Sequence, residues 1–566
     1  MIKLTGGEAL VKMLENVGIE VCFGVPGFQA LPYYDAILHS KKIRHILVRD
    51  ERSGAFMADA YYRASGKVAL VDGTCGPGAT NLITGLSESW NASVPVLALS
   101  SNVVTTNSGR GANMETSQRE AISPFVKDTI YITENKRIPE LIRKAYFTAV
   151  NGKPGPVHID IPENIFYDEY EYDESEFDMS EMMKAPVSRF MPPVSLINEA
   201  CKTLMAAKRP VMLCGGGAHN SGAWHEVQTV AELLNMPVAT TISGKGIIPE
   251  THPLALSTFG RYFRFANDFI SKADVLLVVG CKLGEMSTIR WSLITPGTKI
   301  IHIEIDPATI NKAYTTDVAL VGDAKATLDE MINQLKLLGA KSDPSLPIYS
   351  EIKEAAKAWR EKNADKIDFE GEPINIAHML DILQKYAPDN AIMVGDGGFS
   401  AHWSSVYWTI KNNDGRHYIA NRGQASIGYG LPGAIGAKVA CPDKPVITLS
   451  GDGGLAYSIM EMETAVRNHI PVILVVVNNK CLGYIKALEY LQYGEFISTD
   501  LNDIHYADMA KIFGCNGIRI TDPKDLDEAF KKALAEKDKP TIIEVMVTTD
   551  PSQMLPGKDN RIKKRN

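Results

Sequence analysis

Two apolar runs that each end in a polar motif constrain the fold of this 566-residue chain. The first run, 445–449, leads into Gly451-Asp452-Gly453, and the second run, 472–477, leads into Asn478-Asn479. Apolar residues recur at helical spacing between them, which predicts a strand, a tight turn, a helix and a second buried strand. A right-handed crossover would bring both strand ends to the same edge of a parallel sheet.

The polar groups at this edge suit a diphosphate held by a metal ion. Adjacent strands lie about 4.8 Å apart, so the Asp452 carboxylate and the Asn479 amide could bind one cation. Mg²⁺ prefers oxygen ligands, and phosphate oxygens can complete its octahedron. Gly453 and Gly454 leave backbone N–H groups open to a phosphate at the start of the following helix. The alternative is an ordinary strand–helix–strand unit followed by a chance pair of asparagines.

Residues 451–479 resemble the diphosphate-binding motif of thiamine diphosphate (ThDP) enzymes. The resemblance extends over nearly the whole chain and is greatest to the acetolactate synthase large subunit and its relatives, including benzaldehyde lyase. It includes the segments 23–27, 31–35 and 76–81. It implies that Mg²⁺ is held by Asp452, Asn479 and the backbone carbonyl of Cys481. The cofactor-binding residues that the resemblance implies are Glu51, Gly76, Asn81, Ile427, Gly428, Gly451, Asp452, Gly453, Gly454, Asn479, Leu482, Gly483 and Tyr484.

The chain is too long for one hydrophobic core, and its length suggests three domains of the size typical of this family. We expect a pyrimidine-binding domain at 1–170, a central domain at 190–345 and a diphosphate-binding domain at 370–550. Strand-like and helix-like segments alternate in each, so the predicted fold is α/β, with three doubly wound parallel sheets. The acidic, tyrosine-rich stretch 167–178 is predicted to be a linker.

Composition argues against several other classes of protein. The net charge of −8 disfavours a general nucleic-acid surface. The eight cysteines show no paired CxxC spacing, which is typical of reduced, mostly buried thiols. The sequence begins without a signal-peptide core, and no apolar run approaches the roughly 20 residues that span a bilayer. We therefore expect a cytoplasmic protein without a membrane or nucleic-acid partner.

The resemblance also implies roles for Glu51 and Ile427. Glu51 lies where the strand-like segment 43–48 turns into a helix, and by itself it would be a charge that complements the helix N-terminus. The resemblance implies that it bonds the cofactor's aminopyrimidine and favours the imino tautomer, whose nitrogen takes the thiazolium C2 proton. Ile427, which could otherwise be a core residue, stands where relatives place the apolar wedge that folds the two rings together.

The substrate side of the predicted site is less well defined. The candidate catalytic residues besides Glu51 are Gln29, Asn113 and Gln118. Gln29 falls where benzaldehyde lyase has an active-site histidine, and Gln118 matches one family glutamine. A second family glutamine aligns with Asn113, Met114 or Glu115, depending on the gap that is chosen.

The resemblance implies a carbon–carbon lyase or carboligase that works through a thiazolium carbanion and an enamine. Its substrate would be a 2-oxo acid or a related 2-hydroxy carbonyl compound. Leu488 replaces the tryptophan with which synthases prefer 2-oxobutyrate as acceptor, so we do not expect a strict acetohydroxyacid synthase. A non-oxidative 2-oxo acid decarboxylase and a flavin-linked oxidase are the alternatives. A catalytically silent ThDP-binding subunit is an alternative of another class, and intact Glu51, Asp452 and Asn479 argue against it.

Two structural questions stay open in the sequence. The resemblance to acetolactate synthases implies either FAD or no cofactor in the middle domain. Gly215-Gly216-Gly217 follows a strand and could approach a phosphate or form a plain turn. Asp306 resembles a ribose-binding acid and also a strand-end cap. Family members build the active site between subunits, so the resemblance implies a homodimer or a homotetramer.

Overall fold

The computed structural model describes residues 1–179, 188–557 and 559, and three six-stranded parallel sheets dominate it. The strands of the amino-terminal part are β1 (Ile2–Thr5), β2 (Val21–Gly24), β3 (Arg44–Leu47), β4 (Leu70–Gly73), β5 (Leu97–Asn102), β6 (Thr129–Tyr131), β7 (Val157–Pro162) and β8 (Glu169–Tyr172). Its helices are α1 (Gly6–Asn16), α2 (Leu31–His39), α3 (Glu51–Ser65), α4 (Pro77–Ala92), α5 (Gln118–Ile122), α6 (Ile138–Val150) and α7 (Glu163–Tyr167). The sheet order is β3-β2-β4-β5-β7-β6.

The central sheet has the strand order of a dinucleotide-binding fold. Its strands are β9 (Pro210–Cys214), β10 (Val238–Thr240), β11 (Ala255–Thr258), β12 (Val275–Val279), β13 (Lys299–Glu304) and β14 (Val318–Val321). The helices that accompany and follow it are α8 (Val194–Met205), α9 (Gly216–Ser221), α10 (Trp224–Leu234), α11 (Ala266–Ile270), α12 (Ala324–Leu337), α13 (Pro347–Lys362) and α14 (Ala364–Ile367). The order β11-β10-β9-β12-β13-β14 corresponds to the 3-2-1-4-5-6 arrangement of doubly wound sheets.

The carboxy-terminal sheet repeats the order of the amino-terminal one. Its strands are β15 (Ile392–Gly395), β16 (Tyr418–Ala420), β17 (Val446–Gly451), β18 (Ile473–Asn478), β19 (Asn516–Ile520) and β20 (Thr541–Met546). The helices of this part are α15 (Ile376–Tyr386), α16 (Phe399–Tyr407), α17 (Gly430–Ala440), α18 (Asp452–Leu455), α19 (Glu461–Arg467), α20 (Gly483–Tyr493), α21 (Tyr506–Ile512) and α22 (Leu526–Ala535). The order β16-β15-β17-β18-β20-β19 confirms, with the other two sheets, the predicted fold class.

The predicted linker at 167–178 is wrong. This stretch contains β8, which pairs antiparallel with β1, and a short 3-10 helix at Glu174–Phe177. Tyr172 and Phe177 are fully buried, and the Tyr172 hydroxyl donates to the Asn135 carbonyl oxygen at 2.8 Å. The aromatic residues therefore anchor the segment, although its acidic residues suggested exposure.

The described residues form two compact units. The first combines the amino-terminal part with 421–442 and 458–470, and the second contains the central sheet and the rest of the carboxy-terminal part. Within the first unit α17 packs closely on α3, as the 2.1 Å distance from a Cβ at Gly436 to the Met57 carbonyl oxygen shows.

All eight cysteines are free, as the absence of paired spacing predicts. The described part of the chain has no helix long and apolar enough to cross a bilayer.

A buried charge network joins the segment 421–442 to α3 and α4 inside the first unit. Arg63 Nε lies 2.6 Å from Asp59 Oδ1, and an Arg63 Nη lies 3.1 Å from Glu88 Oε1. The backbone N–H groups of Gly423 and Gln424 donate to the Glu88 carboxylate at 2.8 and 2.6 Å. The side chains of the two carboxylates and of Arg63 are at most 1% exposed.

Replacing Glu88 with glutamine should lower the free energy of unfolding by about 3–5 kcal/mol, because the change removes one partner of a buried ion pair. Equilibrium urea unfolding measures the effect. Glu140→Gln is the matched control, since Glu140 pairs with Arg137 at 2.8 Å on the surface. Its effect should stay below about 1 kcal/mol. Equal losses in the two variants would contradict a buried network.

Candidate active site

The carboxyl ends of β15 and β17 form the switch point of the carboxy-terminal sheet, because the sheet extends in opposite directions from these two strands. Ligands of doubly wound folds bind in the crevice at such a point. β17 ends at Gly451 and continues directly into α18, whose first residue is Asp452. Parallel pairing places Gly451 beside Val477 on β18. Asp452 and Asn479 therefore follow the ends of two adjacent strands.

The Asp452 carboxylate is buried among backbone N–H groups. Gly453 donates to its Oδ1 at 2.8 Å, and the N–H groups of residues 479–481 also bond to the carboxylate. Burial raises the pKa of Asp452 to about 6, and these N–H groups oppose the shift. Asn479 lies against Gly483, where a Cβ would stand 2.5 Å from the amide nitrogen. A carboxylate, an amide and the Cys481 carbonyl are oxygen donors of the kind that Mg²⁺ prefers.

A second Gly-Asp-Gly motif, 395–397, which the sequence patterns did not single out, lies at the other side of the switch point. Asp396 is fully buried and accepts hydrogen bonds from Ser450 Oγ at 2.5 Å and Gly397 N at 2.7 Å. A Cβ on Gly454 would lie 2.6 Å from Asp396 Oδ2, so the motif packs under α18. The apolar run 391–394 before it was the available signal, but no asparagine pair follows.

Aromatic side chains surround the start of α20, which carries Gly483 and Tyr484. The rings of Tyr484 and Phe399 meet edge to face with centroids 4.6 Å apart. The His402 ring lies nearly parallel to Tyr484 at 6.3 Å. Leu482 is fixed by its backbone N–H, which donates to the Thr499 carbonyl oxygen at 2.8 Å. This wall lies in the same compact unit as Asp452.

Glu51 is the first residue of α3 and lies in the other compact unit. Asp50 caps the helix by accepting from the Arg52 N–H at 2.8 Å, which fixes the turn after β3. Glu51 is 7% exposed, and its Oε2 accepts from Asn81 Nδ2 at 3.0 Å. Its Oε1 faces Gly78, where a Cβ would stand only 3.1 Å away. The carboxylate is thus oriented by α4 and approached by a glycine backbone.

Gln29 and Gly76 lie in the loops after β2 and β4, the two strands at the switch point of the amino-terminal sheet. Gln29 Oε1 accepts from Thr74 Oγ1 at 2.7 Å, and its Nε2 lies 3.9 Å from Met114 Sδ. A Cβ on Gly76 would lie 2.7 Å from the Met114 carbonyl oxygen. Three residues, 113–115, could align with the second family glutamine. Of these, Met114 makes these contacts, whereas Asn113 is exposed.

Gln118 uses both ends of its carboxamide inside the domain. Its Oε1 accepts from Gly76 N at 3.0 Å, and its Nε2 donates to Asp160 Oδ1 at 2.7 Å and to Ser100 Oγ at 3.0 Å. Burial raises the pKa of Asp160 to about 6, against hydrogen bonds that stabilise the carboxylate. These contacts show that the Gln118 carboxamide holds the Gly76 backbone, and its catalytic role stays a prediction.

Ile427 and Gly428 belong to the loop that the buried charge network anchors in the first unit. The Tyr429 hydroxyl donates to Asp59 Oδ1 at 2.8 Å, immediately after the two residues. Gly428 has φ +89°, a backbone conformation that favours glycine. The Ile427 side chain is half-buried within the chain. Partial exposure leaves apolar surface that a ligand could cover, which core packing alone would not.

Comparison with known proteins connects both sites to one family. The first 122 residues contain a match, at 4–122, to a model described as thiamine pyrophosphate enzyme, N-terminal TPP binding domain. The corresponding central domain matches 197–331, and the C-terminal TPP binding domain matches 396–545. The chain belongs to the thiamine pyrophosphate enzyme family. Thiamine pyrophosphate is another name for ThDP, so the predicted family and its cofactor are confirmed.

Curated relatives specify the branch of the ThDP enzyme family. A probable acetolactate synthase large subunit of Methanococcus aeolicus is 36% identical over 98% of this chain and 93% of its own length. The acetolactate synthase isozyme 3 large subunit of Escherichia coli K12 is 32% identical over 98% of this chain and 96% of its own length. This ThDP enzyme is therefore acetolactate synthase-like.

The glycine turn of the central domain packs against its own sheet edge. A Cβ on Gly215 would lie 2.2 Å from the Gly280 carbonyl oxygen, and Gly217 N donates to the same oxygen at 3.0 Å. Asp306 caps a short 3-10 helix by accepting from Ala308 N at 3.0 Å. Packing and capping thus account for these contacts, while the strand order is that of a dinucleotide-binding sheet.

Glu461 packs against the turn that carries Glu51, within the first compact unit. Its Oε1 accepts from the Arg49 backbone N–H at 3.0 Å, and its Oε2 accepts from Thr464 Oγ1 at 2.7 Å. Burial raises the pKa of Glu461 to about 7, although these hydrogen bonds oppose the shift. Ionisation of Glu461 therefore lowers the free energy of unfolding at neutral pH.

The free energy of unfolding should reflect this raised pKa of Glu461. The unfolded chain loses the proton near the ordinary glutamate pKa of 4.5 and the folded chain near about 7, so stability falls as pH rises between these values. A Glu461→Gln variant lacks this loss, and its stability relative to wild type should rise by about 1.4 kcal/mol per pH unit in that window. Urea unfolding at pH values between about 5 and about 7 measures the difference. Parallel pH profiles of the two proteins would contradict the prediction.

Proposed function

We propose that this ThDP enzyme is a Mg²⁺-dependent carbon–carbon lyase or carboligase acting on a 2-oxo acid or a related 2-hydroxy carbonyl compound. The observation that carries the proposal is the buried Asp452 carboxylate at the switch point, with Asn479 and the Cys481 carbonyl at the end of the next strand. Burying a carboxylate is costly without a compensating charge, and a divalent cation beside these oxygen donors supplies one.

The proposal assigns separate tasks to the residues. Asp452, Asn479 and the Cys481 carbonyl hold Mg²⁺, and the glycines around Asp452 let the diphosphate approach the backbone. When bound, ThDP supplies an electron sink for the bond that breaks next to the substrate carbonyl. Glu51 holds and moves a proton at Oε1, and Asn81 orients its other oxygen. The side chain of Ile427 supports the folded cofactor.

The identity of the relatives favours carboligation over simple decarboxylation. Both relatives described above are named acetolactate synthase large subunits. Product analysis with a panel of 2-oxo acids, with and without an added aldehyde or second oxo acid, decides the reaction. A carboligase releases CO₂ and forms a new carbon–carbon bond, whereas a decarboxylase releases the aldehyde. With Mg²⁺ and ThDP present, the proposal would be refuted if no 2-oxo acid gave CO₂ or a coupled product and no 2-hydroxy carbonyl compound was cleaved.

We further propose a homodimer or homotetramer in which Glu51 of one subunit and Asp452 of another serve one cofactor. Mixing tests this arrangement. Glu51→Gln and Asp452→Asn chains are each expected to be nearly inactive, but a mixed dimer retains one site with both native residues. Equal mixing after subunit exchange should restore roughly a quarter of wild-type activity in a twofold-symmetric assembly. No restoration in verified mixed dimers would contradict a shared site.

A flavin-linked enzyme is the second candidate, and the dinucleotide-type strand order of the central sheet favours it. Flavin absorbance in the purified protein, followed by release of the flavin on denaturation, separates the two candidates. Transfer of electrons from a 2-oxo acid to a redox dye would then identify an oxidase. A flavin-bearing protein that forms a coupled product and reduces no dye would instead be a carboligase with a non-redox flavin.

A further inference from the structure

Four side chains with metal-binding atoms converge in the amino-terminal domain, outside the proposed cofactor site. Cys22 lies on β2, His45 on β3 and Asp72 on β4, and Tyr33 lies on α2. Parallel register pairs Cys22 with His45, and it pairs Asp72 with Gly24, two residues after Cys22. Alternation along the strands therefore directs all three strand residues to one face of the sheet.

The polar atoms of the cluster gather around one carboxylate oxygen, Asp72 Oδ2. Asp72 Oδ2 lies 3.2 Å from Cys22 Sγ, 3.1 Å from His45 Nε2 and 3.1 Å from the Tyr33 hydroxyl. The candidate ligand atoms of Cys22, His45 and Asp72 all lie within 4.8 Å of one another. Zinc bonds of about 2.0–2.3 Å place tetrahedral ligands about 3.3–3.7 Å apart. The 3.2 and 3.1 Å distances from Asp72 to Cys22 and His45 are a few tenths of an ångström shorter, so binding an ion needs only small side-chain shifts.

We propose that Cys22, His45 and Asp72 bind a divalent transition metal ion, and that zinc is the ion whose preferences they fit. A thiolate, an imidazole and a carboxylate are all established zinc ligands, whereas Mg²⁺ and Ca²⁺ favour oxygen donors alone. Thiolate and carboxylate together also neutralise a divalent ion, so the filled site would bury no net charge. The Tyr33 hydroxyl orients the Asp72 carboxylate.

The surroundings of the cluster fit such a site. Cys22 and Tyr33 are fully buried, whereas the His45 side chain is 14% exposed and gives the ion a route from the surface. A Cβ on Gly24 would lie 1.6 Å from Asp72 Oδ1, so this glycine makes room for the carboxylate. An ion bound here would join three neighbouring strands, whose carboxyl ends lead to Gln29, Glu51 and Gly76.

Cobalt binding to the full-length protein tests the proposal. The protein is stripped with a chelator, saturated with Mg²⁺ and ThDP, and titrated with Co²⁺. We expect each chain to bind one cobalt ion and to show a thiolate-to-cobalt charge-transfer band. Added Zn²⁺ should displace the cobalt ion and remove the band. Zn²⁺ should also raise the Tm, because it binds only the folded state. These readouts do not depend on catalytic activity, so their failure is distinct from failure of the proposed function.

Variants assign the band to the cluster. Cys22→Ser should abolish it, and Tyr33→Phe should weaken cobalt affinity about 10- to 100-fold, as expected for a residue that orients a ligand. His45→Gln should weaken affinity further and tests the site even if Cys22→Ser fails to fold. Cys515→Ser, which removes another buried thiol, should leave the band unchanged. No thiolate band in wild type, an unchanged band in folded Cys22→Ser, or an unchanged cobalt affinity in folded His45→Gln would overturn the proposal and leave a hydrogen-bonded cluster.

Discussion

Replacing Glu51 with glutamine should lower kcat about 100- to 10,000-fold, the range expected for loss of a positioned acid–base group. Glutamine keeps the size of the side chain and can still accept from Asn81, whose amide lies 3.0 Å from Glu51 Oε2. It cannot hold and release a proton at the oxygen that faces Gly78. Steady-state CO₂ release from a 2-oxo acid, at saturating ThDP and Mg²⁺, measures the loss.

Two controls distinguish a chemical role of Glu51 from a structural one. The surface variant Glu140→Gln should keep wild-type kcat, since Glu140 pairs only with nearby surface groups in its described contacts. ThDP binding to Glu51→Gln should change much less than kcat, because the proposal places the diphosphate and its metal ion on the other domain. A folded Glu51→Gln protein with wild-type kcat would exclude the proton role.

The fold was largely predictable because hydrophobic periodicity and turn-forming residues are local features of the sequence. The apolar runs before Gly451 and Asn478 became β17 and β18, which pair in parallel as the crossover rule requires. The segment 167–178 was not predictable in this way. Its acidic residues suggested a linker, but burial of Tyr172 and Phe177 depends on β1, which is far away in the sequence.

Residues of the candidate site were likewise predictable where they depend on local sequence, and not where they depend on contacts between distant segments. Asp452 and Asn479 could be proposed from sequence, because each follows a strand within one local unit. The contacts of Gln118 could not, since its partners Gly76, Ser100 and Asp160 come from three different segments. The cluster of Cys22, His45 and Asp72 also depends on the register of three strands, and no local spacing indicates it.

Replacing Asp452 with asparagine should weaken binding of Mg²⁺ and ThDP by about 2–5 kcal/mol, or about 30- to 5,000-fold in Kd. The change keeps the shape of the side chain but removes the negative charge that faces the cation. The same change should stabilise the cofactor-free protein at neutral pH, because burial raises the pKa of Asp452 to about 6 and makes its ionised form costly. Calorimetric titration measures the first effect and urea unfolding the second.

Asp452→Asn is expected to lower Mg²⁺ affinity and to raise the stability of the cofactor-free protein. These opposite changes distinguish a metal ligand from a purely structural carboxylate. A carboxylate that only shapes the turn after β17 would leave Mg²⁺ affinity nearly unchanged on replacement by asparagine, whatever happened to stability. A carboxylate that binds the cation should instead lower the stability of the cofactor-free protein and raise Mg²⁺ affinity, because the charge that is costly to bury is also the charge that binds the cation. Asn479→Ala, which removes the neutral donor of the adjacent strand, should weaken affinity without that gain in cofactor-free stability. Unchanged Mg²⁺ affinity in both variants, whatever their stability, would refute the assignment of the two residues as ligands.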